Sequence, residues 1–340
     1  MIRLLTRLFA RISCLIAMSV VSFNAIDAVA QTQVPAAPTQ PNAPSAQAVP
    51  SAPAPAAAPT FPPPDPKDFT AAAPTKETIN AFLTSNWGYD QDRMWQVQAI
   101  LKTEVDGLSK VVVYVGDKSG KQKPTALEFF ALPDGKHIIT GDQIMPFGAH
   151  PFADARAKAE ERADGPYRGA AAKDLELVEF FDLQCPHCKE AQANIDKLIA
   201  DFPKARIVVQ NFPLPSIHPS AMIAAQYGVC VAKQAGSAAF FQYEAAVFDG
   251  QDGLGTLDGT TLTLNSAVTK AGLDPAKVSA CANAPETKAS VESSIKLGNE
   301  LGITEVPTIL VNGRPIPGNA PYEVLKQVIQ YQAKLDGIAQ

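Results

Sequence analysis

The feature that most constrains this chain is an apolar run, Leu175-Glu176-Leu177-Val178-Glu179-Phe180-Phe181, followed closely by Cys185-Pro186-His187-Cys188 and a helical pattern through Phe202. A short, mostly apolar run reads as a strand buried in a sheet. Two cysteines separated by two residues on the first turn of a helix can exchange a disulfide, because the second sulfur is close enough to resolve a mixed disulfide on the first. Cys185 falls at the expected helix N-terminus, where unpaired backbone N–H groups and the positive end of the dipole stabilise a thiolate. Pro186 on the first turn sacrifices no backbone hydrogen bond, and His187 can add partial positive charge. Cys188, one turn on and facing inward, is the expected resolving thiol.

The size of the shift decides direction. Taking Cys185 from about 8.5 to about 3.5, the low end for such motifs, would stabilise the thiolate by about 7 kcal/mol, of which about 5 counts at neutral pH. A stabilised reduced form makes the disulfide an oxidant. A Cys-x-x-Cys pair is also half of a tetrahedral zinc site, which needs two more ligands. Cys230 and Cys281 stand alone, with no His at finger spacing, so we expect neither a metal nor another cofactor.

Around this centre the order is strand, helix, strand (Ile207 to Phe212), a mainly helical region from His218 to about Asn299, a hairpin at Asn312-Gly313 and a last helix from Tyr322, an α/β arrangement. The preceding part has a different grammar. A short helical pattern from Thr75 leads into strands Trp95–Val105, Ser109–Val115, Thr125–Leu132 and Lys136–Met145, with hairpin signals at Asp106-Gly107 and Asp134-Gly135. We therefore expect a small α+β antiparallel-sheet domain over 77–150, a connecting helix within 151–172 and a catalytic domain over 173–340. The 77–150 domain carries no catalytic constellation, and dimerisation or substrate contact are its candidate roles.

Ahead of these lie Arg3, Arg7 and Arg11, an apolar run from Ile12 to Phe23, and Ala28-Val29-Ala30, the order of a cleaved secretory signal over 1–30. The apolar run is about 12 residues, short of the roughly 20 that span a bilayer. Residues 31–76 are rich in Pro and Ala and uncharged before Asp65, which reads as an extended spacer. Without residues 1–30 the chain has 26 Lys and Arg against 33 Asp and Glu, so nothing suggests nucleic-acid binding. Four cysteines remain after Cys14 departs with the signal, an even count that suggests two disulfides in an exported protein.

Glu179-Phe180-Phe181 before Cys185-Pro186-His187-Cys188, with Val306-Pro307 far downstream, resembles the DsbA-type thioredoxin-fold oxidoreductases of the bacterial cell envelope, over about residues 173–336. The resemblance implies a thioredoxin-like fold with a helical insertion. It implies Cys185 as nucleophile, Cys188 as resolving cysteine, Glu179 as a buried acid assisting proton transfer, and a cis Val306-Pro307 bond that presents the Val306 backbone to an extended substrate. On the residues alone, Glu179 could instead face solvent on an edge strand and Pro307 could be an ordinary trans proline. The earlier half resembles the DsbC and DsbG type isomerases in Asp134-Gly135-Lys136-His137-Ile138-Ile139 and the connecting helix, while departing from them at the active-site dipeptide and the long spacer.

Cys230 and Cys281 fall in the helical insertion. A structural disulfide between them is the favoured reading, with two unpaired buried thiols as the alternative. His218 before Pro219 reads as structural. The expected function is exported, periplasmic thiol-disulfide exchange, forming or reshuffling disulfides. The expected partners are unfolded or reduced exported proteins, a membrane redox partner that resets the site, and a second copy of the chain through 77–150. A dimeric isomerase and a chaperone-like binding module are the alternatives.

Overall fold

The structure, a computed structural model, describes residues 61–120 and 123–338. The expected signal sequence and the first part of the expected spacer lie outside the described residues.

Thr75 caps helix α1 (Lys76–Trp87), its hydroxyl accepting from the Thr78 N–H at 3.2 Å. Five antiparallel strands follow in sequential order: β1 (Arg93–Lys102), β2 (Ser109–Asp117), β3 (Thr125–Ala131), β4 (His137–Thr140) and β5 (Gln143–Pro146). Ile79, Phe82 and Leu83 of α1 pack with Val97, Val111, Val113 and Phe129 of the sheet. The alternate residues of β2 are less buried, as a half-buried strand requires.

Two sequence expectations change here. The run Lys136–Met145, expected as one strand, is the hairpin β4–β5. It turns at Gly141-Asp142, where Gly141 takes φ +59°, a conformation suited to glycine. The end of the expected spacer is packed along β1. Gln96 and Gln98 donate to the Pro62 carbonyl at 3.0 Å, Thr70 and Ala71 donate to the Ile100 carbonyl, and Phe69 joins the core of this sheet. The prolines lack donors but keep their carbonyls, which is sufficient to satisfy glutamines along a strand edge.

Helix α2 (Ala153–Arg162) precedes the second sheet, whose strand order is β10-β9-β7-β8-β6. These strands are β6 (Tyr167–Gly169), β7 (Leu175–Phe181), β8 (Ala205–Asn211), β9 (Thr308–Val311) and β10 (Arg314–Pro317). Strands β7 and β8 run parallel across helix α3 (Pro186–Asp201), and β9 pairs antiparallel to β7. Every residue of β7 is buried, because the sheet is covered on both faces. Leu175 and Leu177 pack with Ile195 and Leu198 of α3 and with Leu325 and Ile329 of the final helix α8 (Tyr322–Leu335); Val178 and Phe180 pack with Ala159 of α2.

The insertion comprises α4 (Ala221–Asp249), broken at Gly236 with φ +78°, then α5 (Leu257–Lys270), α6 (Pro275–Ala282) and α7 (Pro285–Glu300). It has an apolar cluster of its own in which Phe181, Cys185 and Cys188 take part, so the redox turn is one wall of the insertion's core. Cys230 of α4 and Cys281 of α6 form a disulfide. Arg314, 4% exposed, joins the two sheets' surroundings: it donates to Gln332 Oε1 at 2.8 Å and to the carbonyls of Ser85 and Asn86 at the end of α1.

Candidate active site

Strand β7 ends at Phe181, and the turn Asp182–Gln184 delivers Cys185 to the N-cap of α3 in an extended conformation, with Pro186 opening the helix. The next turn carries Cys188 into the interior, where it has no exposed surface; Cys185 keeps 5%. Both are free thiols. Across from them the Val306-Pro307 peptide bond is cis, and the Val306 carbonyl oxygen lies 4.0 Å from Cys185 Sγ. Pro186, Cys185, Cys188, Val306 and Pro307 thus meet at one end of the second sheet.

The two sulfurs differ electrostatically because of where they sit. The Cys185 thiol is lowered to about 6, first by a hydrogen bond from the Cys188 side chain, then by the backbone N–H groups of Cys188 and His187 and the charge of His218, against the opposing effect of burial. This is short of the low end considered from the motif alone. Burial and the neighbouring Cys185 push the Cys188 thiol far up, so it stays protonated until a partner takes its proton. The Asp182 backbone N–H points at Cys188 Sγ at 3.4 Å.

His187 bears on Cys185 through its backbone as well as its ring. Its ring is largely exposed and its Nδ1 lies 3.1 Å from Glu190 Oε2, the contact that raises its pKa. Its backbone N–H lowers Cys185, and the ring also interacts electrostatically with the Cys185 thiolate, a smaller influence that raises His187 further. Glu179 lies in the middle of β7, fully buried, which excludes the edge-strand alternative. Its Oε1 accepts from Gln192 Nε2 at 3.1 Å, and burial raises its pKa to about 7 against the charge of Arg168.

Three neighbours were not singled out from the sequence as site residues. Asp182, buried, accepts from Gln184 N–H at 2.8 Å and Leu214 N–H at 2.9 Å, and lies 2.8 Å from His218 Nδ1. His218 is therefore part of the site's surroundings and precedes α4 rather than opening it. Gln251, from the segment between α4 and α5, donates to the Leu183 and Cys185 carbonyls at 2.9 and 3.1 Å. The signal available for His218 was topological, since loops at the carboxyl ends of adjacent parallel strands converge and this residue follows β8. Among the described residues no group of three or more His, Cys, Asp or Glu is placed to hold a metal ion.

The sequence profile of a family described as Thioredoxin matches residues 161–331, half of the chain, and includes the whole β7–Cys185–α3 unit and the cis proline. The chain belongs to the thioredoxin family. The thioredoxin-like α/β fold that the resemblance implied is the one present, and the profile match reaches back to residue 161, ahead of β6. Among curated proteins, this thioredoxin-family chain is 31% identical over 91 residues to Na(+)/H(+) antiporter NhaA 3 of Salinispora tropica, covering 27% of the chain and 14% of that protein. It is 36% identical over 88 residues to Na(+)/H(+) antiporter NhaA 1 of Mycolicibacterium vanbaalenii, again covering only 14% of that protein.

Similar solved structures include the catalytic domain of Proteus mirabilis ScsC, at 22% identity and a TM-score of 0.45, covering 54% of this chain and 99% of that one. Bacillus subtilis BdbD in its oxidised form matches at 22% identity and a TM-score of 0.45, covering 50% and 93%. Pseudomonas aeruginosa DsbA2 matches at 24% identity and a TM-score of 0.43, covering 49% and 93%.

Proposed function

We propose that this chain is an exported thiol-disulfide oxidoreductase of the DsbA type, forming or reshuffling disulfides in envelope proteins through Cys185. One observation carries the reading: two sulfurs one helical turn apart with opposite proton affinities, Cys185 lowered to about 6 and Cys188 pushed up by burial. The first supplies a nucleophile or leaving group at neutral pH; the second waits, protonated, to resolve a mixed disulfide.

In the donating direction a substrate thiolate attacks Cys185 Sγ of the enzyme disulfide, and Cys188 leaves as a thiolate that takes up a proton, for which Glu179 is the buried source. A second substrate thiolate then attacks the substrate sulfur, its disulfide forms, and Cys185 leaves as the stabilised thiolate. The enzyme ends reduced and the substrate oxidised, so a membrane redox partner must remove the electrons. The Val306 carbonyl, beside Cys185, is placed to meet the backbone of an extended substrate. Export rests on the N-terminal sequence pattern.

The test is equilibration of the mature protein with glutathione buffers followed by thiol labelling, with Cys188→Ala as control. A strongly oxidising potential supports the disulfide donor; a strongly reducing one overturns it in favour of an isomerase or reductase. A chaperone-like binding module would be indifferent to Cys185→Ser. One observation favours the isomerase as a second reading: β5 is an outer strand of the first sheet and carries Ile144, 66% exposed, in the part expected to dimerise. Sedimentation of the mature chain as a monomer would remove that support.

A further inference from the structure

The first peptide beyond strand β7 leaves the sheet and turns its N–H onto sulfur. The ladder between β7 and β9 ends at Phe180 and Thr308. The Phe181 carbonyl accepts from the Phe212 N–H at 2.8 Å. Among the described residues the cis bonds are those before Pro74 and Pro307, so the Phe181–Asp182 peptide is trans. Its N–H therefore points away from its carbonyl, and it meets Cys188 Sγ at 3.4 Å.

What keeps this peptide in place is the side chain that follows it. The Asp182 carboxylate has no exposed surface and is met by three donors. Gln184 N–H reaches Oδ1 at 2.8 Å, while Leu214 N–H and His218 Nδ1 reach Oδ2 at 2.9 and 2.8 Å. An ionised carboxylate only accepts, so the contact with His218 puts a proton on Nδ1. The Asp182 carbonyl accepts from the Cys185 N–H at 3.0 Å, closing the turn that delivers the first sulfur. The three donors come from the redox turn itself, from the segment just after β8 and from the residues just before α4. A buried anion beside two thiols opposes their ionisation, so its charge is not its use here; the number of donors it can hold is.

We propose that Asp182 is a positioning residue for the resolving sulfur: its carboxylate fixes the Phe181–Asp182 peptide so that the N–H stabilises Cys188 whenever that sulfur is a thiolate. The inference rests on the oxidoreductase reading and adds a residue to it. In the donating direction a substrate thiolate attacks Cys185 Sγ and the Cys185–Cys188 bond breaks. Cys188 leaves with the electron pair and is met by the Asp182 N–H before it takes up a proton. In the resolving direction Cys188 gives up its proton and its thiolate attacks Cys185 Sγ. The Cys185–Cys188 bond forms, and the substrate sulfur leaves with the electron pair of the broken bond. The same N–H lies on the Cys188 thiolate in both directions, a single fixed donor aimed at the atom where charge develops. It works against the burial that otherwise opposes ionisation of Cys188.

The experiment compares two rates in the mature protein carrying Asp182, Asp182→Asn or Asp182→Ala. The first is spontaneous glutathione release from the Cys185–glutathione mixed disulfide, which needs the Cys188 thiolate. The second is release from the same mixed disulfide by added dithiothreitol in a Cys188→Ala background, which does not. Asp182→Ala leaves the peptide without its anchor, so the first rate falls about tenfold or more relative to the second. Asp182→Asn keeps one oxygen acceptor but turns an NH2 group toward a donor on the other side, so its ratio falls between wild type and Asp182→Ala. An equal fall in both rates would mean a turn that has only loosened, and unchanged rates would mean a peptide held without the carboxylate; either overturns the proposal.

A second measurement needs neither exchange activity nor an Asp182 variant that folds. In amide NMR spectra of the reduced protein, the Asp182 proton moves upfield in Cys188→Ala as its sulfur acceptor is lost, while the Leu214 amide, bonded to the Asp182 carboxylate, stays in place. An Asp182 amide that does not move refutes the contact and with it the proposal. Failure of the oxidoreductase reading would show instead as no glutathione release in wild type, with the amide shift still present.

Discussion

Replacing Cys188 with Ala tests the origin of the Cys185 thiolate, because the largest influence lowering Cys185 is the hydrogen bond from the Cys188 side chain. A hydrogen bond to an ionised group is worth about 1.5–3 kcal/mol, or about 1–2 pKa units. Starting from about 6, Cys185 in Cys188→Ala should therefore ionise between about 7 and about 8. At pH 6.5 the thiolate fraction falls from about three quarters in reduced wild type to between about a quarter and about a thirtieth in the variant. The rate of Cys185 alkylation against pH, together with thiolate absorbance near 240 nm, measures both curves. A variant profile coincident with wild type would refute the assignment and leave the backbone N–H groups and His218 as the source of the shift. The same asymmetry fixes the sign of a stability effect. Cys185 has a depressed folded-state pKa, so its stabilisation of the reduced protein is fully present above the unfolded value near 9 and is lost as pH falls through about 6.

Removing the Cys230–Cys281 bridge as a double Ala variant opens a loop with a sequence separation of 51, which the chain-entropy relation puts at about 4 kcal/mol. Urea unfolding of the variant should show that loss while the Cys185 alkylation profile is retained; a change below about 1 kcal/mol would refute the estimate. Arg314→Met leaves the Ser85 and Asn86 carbonyls and Gln332 Oε1 without this donor and should cost about 2–4 kcal/mol. Hydrogen exchange should then rise first at the end of α1, and uniform loss of protection would refute the local role.

The parts of the fold that were legible from sequence are those in which one short segment carries its own reason. Strand β7 is mostly apolar and buried on both faces because it lies in the middle of a covered sheet, and the cysteine spacing with Pro186 marks the start of α3 independently of any tertiary contact. The β4–β5 hairpin turns at Gly141-Asp142, itself a two-residue hairpin signal, but the strands on either side are only four residues long and mixed in polarity, too short for an alternation to separate them from one strand. The packed end of the proline-rich stretch was hidden for a different reason. It contributes chiefly carbonyl acceptors and single aromatic anchors such as Phe69, neither of which has a periodicity to detect.

The site divides along the same line. Cys185 and Cys188 declare themselves by spacing, and Asp182 is local to their turn, but His218 beside the turn and Gln251 on its carbonyls come from segments remote in sequence. Both of these remote residues lie in or at the margin of the helical insertion, which encloses the redox turn. An insertion serving only as packing would need apolar side chains toward Cys185 and Cys188. This one also brings hydrogen-bond donors, so trimming it back to a minimal sheet and two helices would leave the Cys-Pro-His-Cys turn intact in sequence while removing the carbonyl clamp of Gln251 and the charge of His218. In such a trimmed protein Cys188 loses part of the burial that raises it and falls back toward an ordinary thiol, while Cys185 loses both the His218 charge that lowers it and part of the burial that opposes that lowering.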